Sequence, residues 1–492
     1  MRGFDHEKYL QMQSENIRKR IARFGGKLYL EFGGKLFDDF HASRVLPGFE
    51  PDSKIKMLLE LKEDVEVLLV INANDIERNK RRGDLGITYD LDTLRLIDAF
   101  RECGLYVPSV VITHYRGQKA TARFREKLEN LGLRVYLHYE IAGYPADLER
   151  ILSEEGFGKN DFVPTERSLV VVTAPGPGSG KMATCLSQIW HENRHGVRAG
   201  YAKFETFPIW DLPLRHPVNL AYEAATADLS DVNMLDPFHL EAYGVKAVNY
   251  NRDVEIYPVL NAMLKSIWGE SPYASPTDMG VNLIGQCISD DIVCCKAARQ
   301  EILRRYYAAL CAKRQGMSDG KDAEKIKMLM TRCDISLLER PVIAAAVARA
   351  EESQLPAVAM ELPDGTLVTG GTTDLLGASS ACLLNALKVL AGIEKDVQLM
   401  SREIIEPIQN LKLDHMGNRN PRLHTDETLI ALTICAVTDP NAALALEQLE
   451  KLKNCQLHAS VILARVDESV FQRLGLHVTC EPVYQTNRLY HG

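Results

Sequence analysis

The 492-residue chain contains no Cys-x-x-Cys pair, although it has 11 cysteines. That absence excludes a zinc ribbon and a thioredoxin-like redox site. The count is odd and only Cys294 and Cys295 are adjacent, so the expectation is reduced thiols, most of them small buried hydrophobes. No apolar run approaches the roughly 18 residues of a membrane helix, and Met1-Arg-Gly-Phe-Asp-His-Glu-Lys8 carries no apolar signal core. The expected setting is the cytoplasm, with no membrane partner. Positive charge is not in excess: 58 Lys and Arg against 66 Asp and Glu give a net charge of −8, so nucleic acid is not an expected partner. The remainder is ordinary. A content of 46% hydrophobic and 25% charged residues excludes disordered, collagenous and coiled-coil proteins, and the length predicts about three domains.

Two copies of Gly-Gly-Lys-Leu flank the alternating segment Leu28–Phe32. They read as strands with tight turns, with Lys27 and Lys35 as exposed hairpin lysines. From residue 65 short β-branched runs recur at Val65–Ile71, Pro108–Thr113, Arg134–Tyr139, Leu169–Thr173 and Val197–Phe204, alternating with helical segments such as Leu91–Cys103 and Thr121–Leu131. This is the pattern of βαβ units. It predicts an α/β fold whose residues 1–240 form a doubly wound, mostly parallel sheet covered on both faces. Over 241–350 strand signals fade, and Arg252–Trp268, Asp291–Lys313 and Ile335–Glu352 predict a helical module. Residues 351–492 predict a C-terminal α/β domain. It opens on a hairpin, Ala357–Glu361 and Thr366–Thr369 about Asp364-Gly365, followed by a small-residue helix Gly377–Leu387 and late strands near Ala459–Leu463 and His477–Thr479.

The most informative stretch is Leu169-Val-Val-Val-Thr-Ala-Pro-Gly-Pro-Gly-Ser-Gly-Lys-Met-Ala-Thr184. A buried strand runs into a glycine-rich loop that opens a helix, which aims unpaired backbone N–H groups and the positive end of the helix dipole at one spot. Gly176, Gly178, Ser179, Gly180 and Lys181 are the expected phosphate-binding residues. The match to a Walker A loop is partial: Pro175 stands where the first glycine belongs, and Met182 replaces the magnesium-binding hydroxyl. The expected ligand is a phosphorylated, nucleotide-like small molecule; no cofactor is assigned beyond magnesium accompanying a nucleotide. Other polar groups fall just past the strand ends, where open α/β sheets hold ligands. Asp75, His114 and Glu205 are the candidates for catalysis, and Asn72, Asn74 and Thr206 for substrate contacts.

His191-Glu192-Asn193-Arg194-His195 matches the H-E-x-x-H pattern of zinc proteases, with Glu223 as the nominee for a third ligand. The helical wheel places Met182, Leu186, Ile189 and Trp190 on the apolar face and both histidines opposite, near the helix C-terminus, where they meet the dipole favourably. No metal ligand is assigned. Further polar clusters nominate Thr277 and Asp278 in Tyr273-Ala-Ser-Pro-Thr-Asp278, and Arg419, Arg422 and His424 in the stretch Asp414–Glu427, as substrate contacts.

Four segments together carry a resemblance: Ala174–Met182, Phe204-Glu-Thr-Phe-Pro-Ile-Trp210, Tyr273–Gly280 and Asn418-Arg-Asn-Pro-Arg-Leu-His424. The whole chain resembles a bacterial family known as domain of unknown function 1846, or uncharacterised protein family 0371. The resemblance implies little chemistry. Some relatives carry the name ATP-dependent peptidase, which no motif set in this chain matches. It also implies a C-terminal domain similar in topology to cytidine deaminases, but the His/Cys-x-Glu and Pro-Cys-x-x-Cys zinc elements of an active deaminase are missing here. The reading is a phosphate-ligand-binding protein, with phosphoryl or nucleotidyl chemistry as its enzymatic form. The alternatives are a non-catalytic ligand-sensing or scaffold homo-oligomer and a metallohydrolase built on His191, Glu192 and His195.

Overall fold

The short apolar runs assemble into one six-stranded, all-parallel sheet: β1 Leu28–Phe32, β2 Val65–Asn72, β3 Tyr106–Tyr115, β4 Arg134–Tyr139, β5 Leu169–Thr173 and β6 Gly200–Phe204. The computed structural model describes residues 2–82, 85–229 and 231–486. They divide into two compact units, the first from 1–223 with 230–298 and the second from 224–229 with 299–492. The six-stranded sheet belongs to the first. Its strand order is β4-β3-β2-β5-β1-β6. β1 and β5 are buried at every position, and β2 at all but its last; strands covered on both faces read as continuous hydrophobic runs for this reason. The chain steps outward from β2 to β3 and β4, then returns to the opposite side of β2 as β5. The winding direction therefore reverses between β2 and β5, and the crevice beyond the carboxyl ends of those two strands is where such sheets hold ligands.

Leu28–Phe32 departs from its expected hairpin. It is inserted between β5 and β6, Leu28 pairing with Leu169 on one side and Gly200 on the other. Its alternation suggested one wet face, but the polar members are buried and bonded. Tyr29 donates its hydroxyl to Glu192 Oε1 at 2.8 Å, and Glu31 Oε2 accepts from the Tyr201 hydroxyl at 2.7 Å. Lys27, expected in solvent, is 17% exposed and ion-paired with Glu192; Lys35 is exposed.

A two-stranded antiparallel ribbon, β7 Asn233–Leu235 and β8 Val248–Tyr250, also lies in the first unit. The second unit holds a four-stranded mixed sheet of β9 Ala357–Glu361, β10 Leu367–Gly371, β11 Gln456–Ala459 and β12 His477–Cys480, in the order β10-β9-β11-β12. β9 and β10 form the expected hairpin, β9 and β11 pair antiparallel, and β11 and β12 pair parallel. β11 lies a few residues before its expected place because its pairing with β9 ends at Ala459. The helix Ala378–Ala391 buries Cys382, Leu383, Ala386 and Leu387 in a core shared with Val358, Met360 and Leu457. The helix expected from Ile335 begins instead at Pro341, a residue preset for the first helical position. Among the described residues no helix is long and apolar enough to cross a membrane.

Candidate functional site

β5 ends at Thr173, and the helix Lys181–Arg194 begins eight residues later. The loop between them turns through two left-handed glycines, Gly178 at φ +75° and Gly180 at φ +89°, a conformation that costs other residues roughly 1–2 kcal/mol. Gly180 is also the N-cap, so no side chain caps the helix. Among the described residues no protein acceptor takes the N–H groups of Gly180, Lys181, Met182 and Ala183. The loop carbonyls, by contrast, are tied down. Asn72 Nδ2 donates to Gly178 O at 3.1 Å, and Thr113 Oγ1 donates to Ser179 O at 2.7 Å. Gly176 sits against Tyr89; a Cβ there would fall 2.3 Å from the tyrosine oxygen.

Two hydroxyls at this helix start are buried without a hydrogen-bond partner: Ser179 Oγ, on a residue 2% exposed, and Thr184 Oγ1 in the first turn. Orphaned hydroxyls cost about 1–3 kcal/mol each, which makes two of them around one helix terminus notable. Lys181 is half-buried and has no ion pair with a described residue.

The ends of β2 and β3 supply the rest of the crevice. Asn72 Oδ1 accepts from Asn74 N at 2.9 Å, and Gln118 Nε2 donates to Asn74 Oδ1 at 3.4 Å and to the His114 carbonyl at 2.9 Å. Asp75 is buried, 3.3 Å from Lys80 Nζ, and that ammonium lies 4.9 Å from the centre of the Tyr89 ring. His114 has a left-handed backbone, φ +52°, and its Nδ1 is 3.3 Å from Thr113 Oγ1. A non-glycine residue held there is strained, and such strain collects at ligand sites. Burial lowers the His114 pKa; Arg116 adds to this and Asp75 opposes it. The ring is thus neutral at pH 7 and available as a proton acceptor. Asn72, Asn74, Asp75, His114 and the Gly176–Lys181 loop are together at the winding reversal.

Glu205 and Thr206 are not part of that group. They follow β6, three strand spacings from β2, or about 14 Å. Glu205 belongs to its own half-buried cluster, in which Lys203 Nζ lies 2.9 Å from Glu205 and 2.6 Å from Asp253. Burial raises the Glu205 pKa to about 7; Lys203 pulls against this, while Asp253 and Glu31 add to it. Burial also works against the charge on Lys203, but its carboxylate neighbours outweigh it and keep the ammonium protonated. Thr206 Oγ1 donates to Asp39 Oδ2 at 3.4 Å, and Asp39 pairs with the buried Lys54 at 2.6 Å. Sequence reading missed Glu31, Lys203 and Asp253. Glu31 and Lys203 are direct partners across β1 and β6, a relation visible only once the strand order is known.

The other nominated contacts are used within the fold. Thr277 Oγ1 donates to Asp236 at 2.6 Å, and Asp278 accepts from the Tyr243 hydroxyl at 2.8 Å and from Ala274 N at 2.9 Å. Arg419, Arg422 and His424 fall in the second unit. Arg419 is exposed, Arg422 Nε donates to Thr373 O at 2.6 Å, and His424 starts the helix Thr425–Cys435 with Nδ1 3.2 Å from Asp467 Oδ2.

The H-E-x-x-H segment does not assemble a metal centre. His191 Nε2 is 3.0 Å from the carbonyls of both Phe157 and Asn160, so that nitrogen is a donor. His191 is half-buried against Phe162 and not on an open face. Glu192 points inward to Lys27 and Tyr29, and Glu223 accepts from Asn233 N at 3.4 Å. Among the described residues one trio of potential metal donors lies within 4.8 Å, and it consists of His216, Asp291 and Cys295.

Comparison with known proteins gives this arrangement a family. The model of "Domain of unknown function DUF1846, N-terminal" matches residues 2–334, and that of its C-terminal counterpart matches residues 338–490. A UPF0371 protein of Streptococcus thermophilus (strain ATCC BAA-491 / LMD-9) is 55% identical over 488 residues, covering 99% of each chain. A UPF0371 protein of Streptococcus pneumoniae (strain JJA) is 56% identical over 489 residues, again 99% of each. With both family domains matched end to end and relatives this similar, the chain belongs to the DUF1846 (UPF0371) family.

Proposed function

We propose that this protein binds a phosphorylated small molecule of nucleotide type, with a phosphate seated on the loop Gly176–Lys181. The observation that carries the reading is the set of unpaired amides at Gly180–Ala183, beside the buried and partnerless Ser179 Oγ. The oxygens of a phosphate group would share the unpaired amides between them, and Lys181 adds charge at the rim. The loop is P-loop-like in topology but lacks the magnesium hydroxyl, since Met182 occupies that place. Asp75 and His114 flank the loop, and the neutral imidazole is the group suited to accept a proton during phosphoryl or nucleotidyl transfer. Glu205 and Thr206, beyond β1, would meet only the far end of an extended ligand. The second unit is read as a deaminase-like topology without deaminase chemistry, because its sheet order β10-β9-β11-β12 comes without the zinc elements. Thermal shift of the wild type and Lys181→Ala with inorganic phosphate, nucleotides and sugar phosphates tests the reading. A ligand-induced rise in Tm that Lys181→Ala loses supports it; equal shifts in both proteins remove this loop from consideration.

A further inference from the structure

We infer that His216, Asp291 and Cys295 form a binding site for a divalent transition metal, zinc by preference. Asp291 and Cys295 are one helical turn apart at the start of the helix Asp291–Arg314, so they share a face. His216 directly precedes the helix Pro217–Ala225 and is 9% exposed. His216 Nε2 lies 3.0 Å from Asp291 Oδ1 and 3.5 Å from Cys295 Sγ, and Sγ lies 3.7 Å from Asp291 Oδ2. Zinc bonds of about 2.0 Å to nitrogen and oxygen and 2.3 Å to sulfur, at tetrahedral angles, set donor separations of about 3.3 Å for N···O and about 3.5 Å for both N···S and O···S. The Nε2···Sγ separation matches. Each of those two donors lies within about 0.3 Å of its expected distance from one Asp291 oxygen, Oδ1 for His216 and Oδ2 for Cys295, so a small turn of the exposed carboxylate brings a single oxygen to the metal. A thiol, an imidazole and one carboxylate suit zinc or cobalt and not magnesium or calcium.

Three protein donors leave the fourth position for water or another ligand, which is the pattern of zinc sites that do chemistry. Val218 N lies 3.3 Å from His216 Nδ1, so in the metal-free molecule Nε2 holds the ring proton and donates to Asp291. Metal capture at Nε2 moves that proton to Nδ1 and gives up this long contact. The thiol loses its proton to solvent as the metal–sulfur bond forms. The glycine loop plays no part in this site, so its fate and the site's are independent.

Cobalt titration of the full chain is the test. Stoichiometric Co²⁺ is expected to produce the near-ultraviolet thiolate charge-transfer band at one equivalent. Cys295→Ala is expected to abolish the band, and Asp291→Asn, an exposed change, to weaken binding at least tenfold. No band in the wild type, or a band that survives Cys295→Ala, overturns the assignment. Alkylation with iodoacetamide, read by mass spectrometry on the wild type, keeps the test decisive should Cys295→Ala not fold. Zn²⁺ is expected to slow modification of Cys295 at least tenfold and leave Cys103 unaffected; equal protection of both, or of neither, sinks the site.

Discussion

The hydroxyl of Thr113, at the end of β3, donates to the carbonyl of Ser179 across the winding reversal, at 2.7 Å and out of contact with solvent. One buried hydrogen bond thereby fixes the direction in which the glycine loop presents its amides. Thr113→Val keeps the volume and removes the donor. It is expected to cost about 1–2 kcal/mol, seen as a Tm drop of about 2–8 °C, and to weaken ligand binding at the loop by more than that stability loss alone explains. Calorimetric unfolding and phosphate titration on the same variant check both parts.

Lys181→Ala is expected to behave in the opposite way. The side chain has no ion pair with a described residue, so the free protein should keep its Tm within about 1 °C, as surface changes away from such features do. Phosphate affinity should fall about tenfold to a hundredfold, the worth of a charged hydrogen bond. Isothermal titration alongside a melting curve separates the two effects.

Glu205 gives a pH signature. Its folded pKa of about 7, raised by burial, lies above the ordinary 4.5. The folded state therefore holds a proton that the unfolded chain releases between those values, and this group's contribution to stability falls as pH rises from 4.5 to 7, then levels off. Glu205→Gln is expected to gain on the wild type across that window. Urea midpoints at pH 5 and pH 8 should show the variant relatively more stable at pH 8; a constant offset contradicts the assignment.

Asp467 and His424 predict a trend of the same sign, at higher pH, in the second unit. The hydrogen bond from Asp467 raises the His424 pKa, so its stabilisation is complete below 6.5 and is lost as pH rises through the raised value. The stability difference between wild type and Asp467→Asn should shrink over that range. It should not vanish, because Asp467 also accepts from Thr425 N and Oγ1.

Glu192→Gln is a stability change and not a catalytic one. It strips the counter-charge from Lys27 beneath the sheet-covering helix, and breaking a buried pair costs about 3–5 kcal/mol. Zinc uptake, whatever its level, should be identical in wild type and His191→Ala. Elemental analysis that shows a loss on His191→Ala would reinstate the H-E-x-x-H reading.

Much of the parallel sheet was legible in the sequence because strands buried on both faces announce themselves as apolar runs. Val65–Ile71 and Leu169–Thr173 became β2 and β5 almost residue for residue. The hairpin about Asp364-Gly365 was equally plain, since its turn chemistry is local. Leu28–Phe32 was misread for a physical reason: Tyr29 and Glu31 look solvent-facing until their buried partners Glu192 and Tyr201 are in place. The crevice residues Asn72 and His114 were found because strand ends can be located from sequence. That Glu205 stands apart from them follows from strand order, which composition does not encode. The trio His216, Asp291 and Cys295 left one local trace, an Asp and a Cys at helical spacing on one face.

The insertion of β1 between β5 and β6 has a consequence for biogenesis. β1 leaves the ribosome well before Leu169 and Gly200 and must wait for them before its edges are satisfied. Such distant pairing closes late, so a nascent chain stalled before residue 169 carries an apolar ribbon with both edges open, and one stalled before residue 200 still leaves one edge open. Truncation products of that length are where chaperone dependence and aggregation of this protein should concentrate.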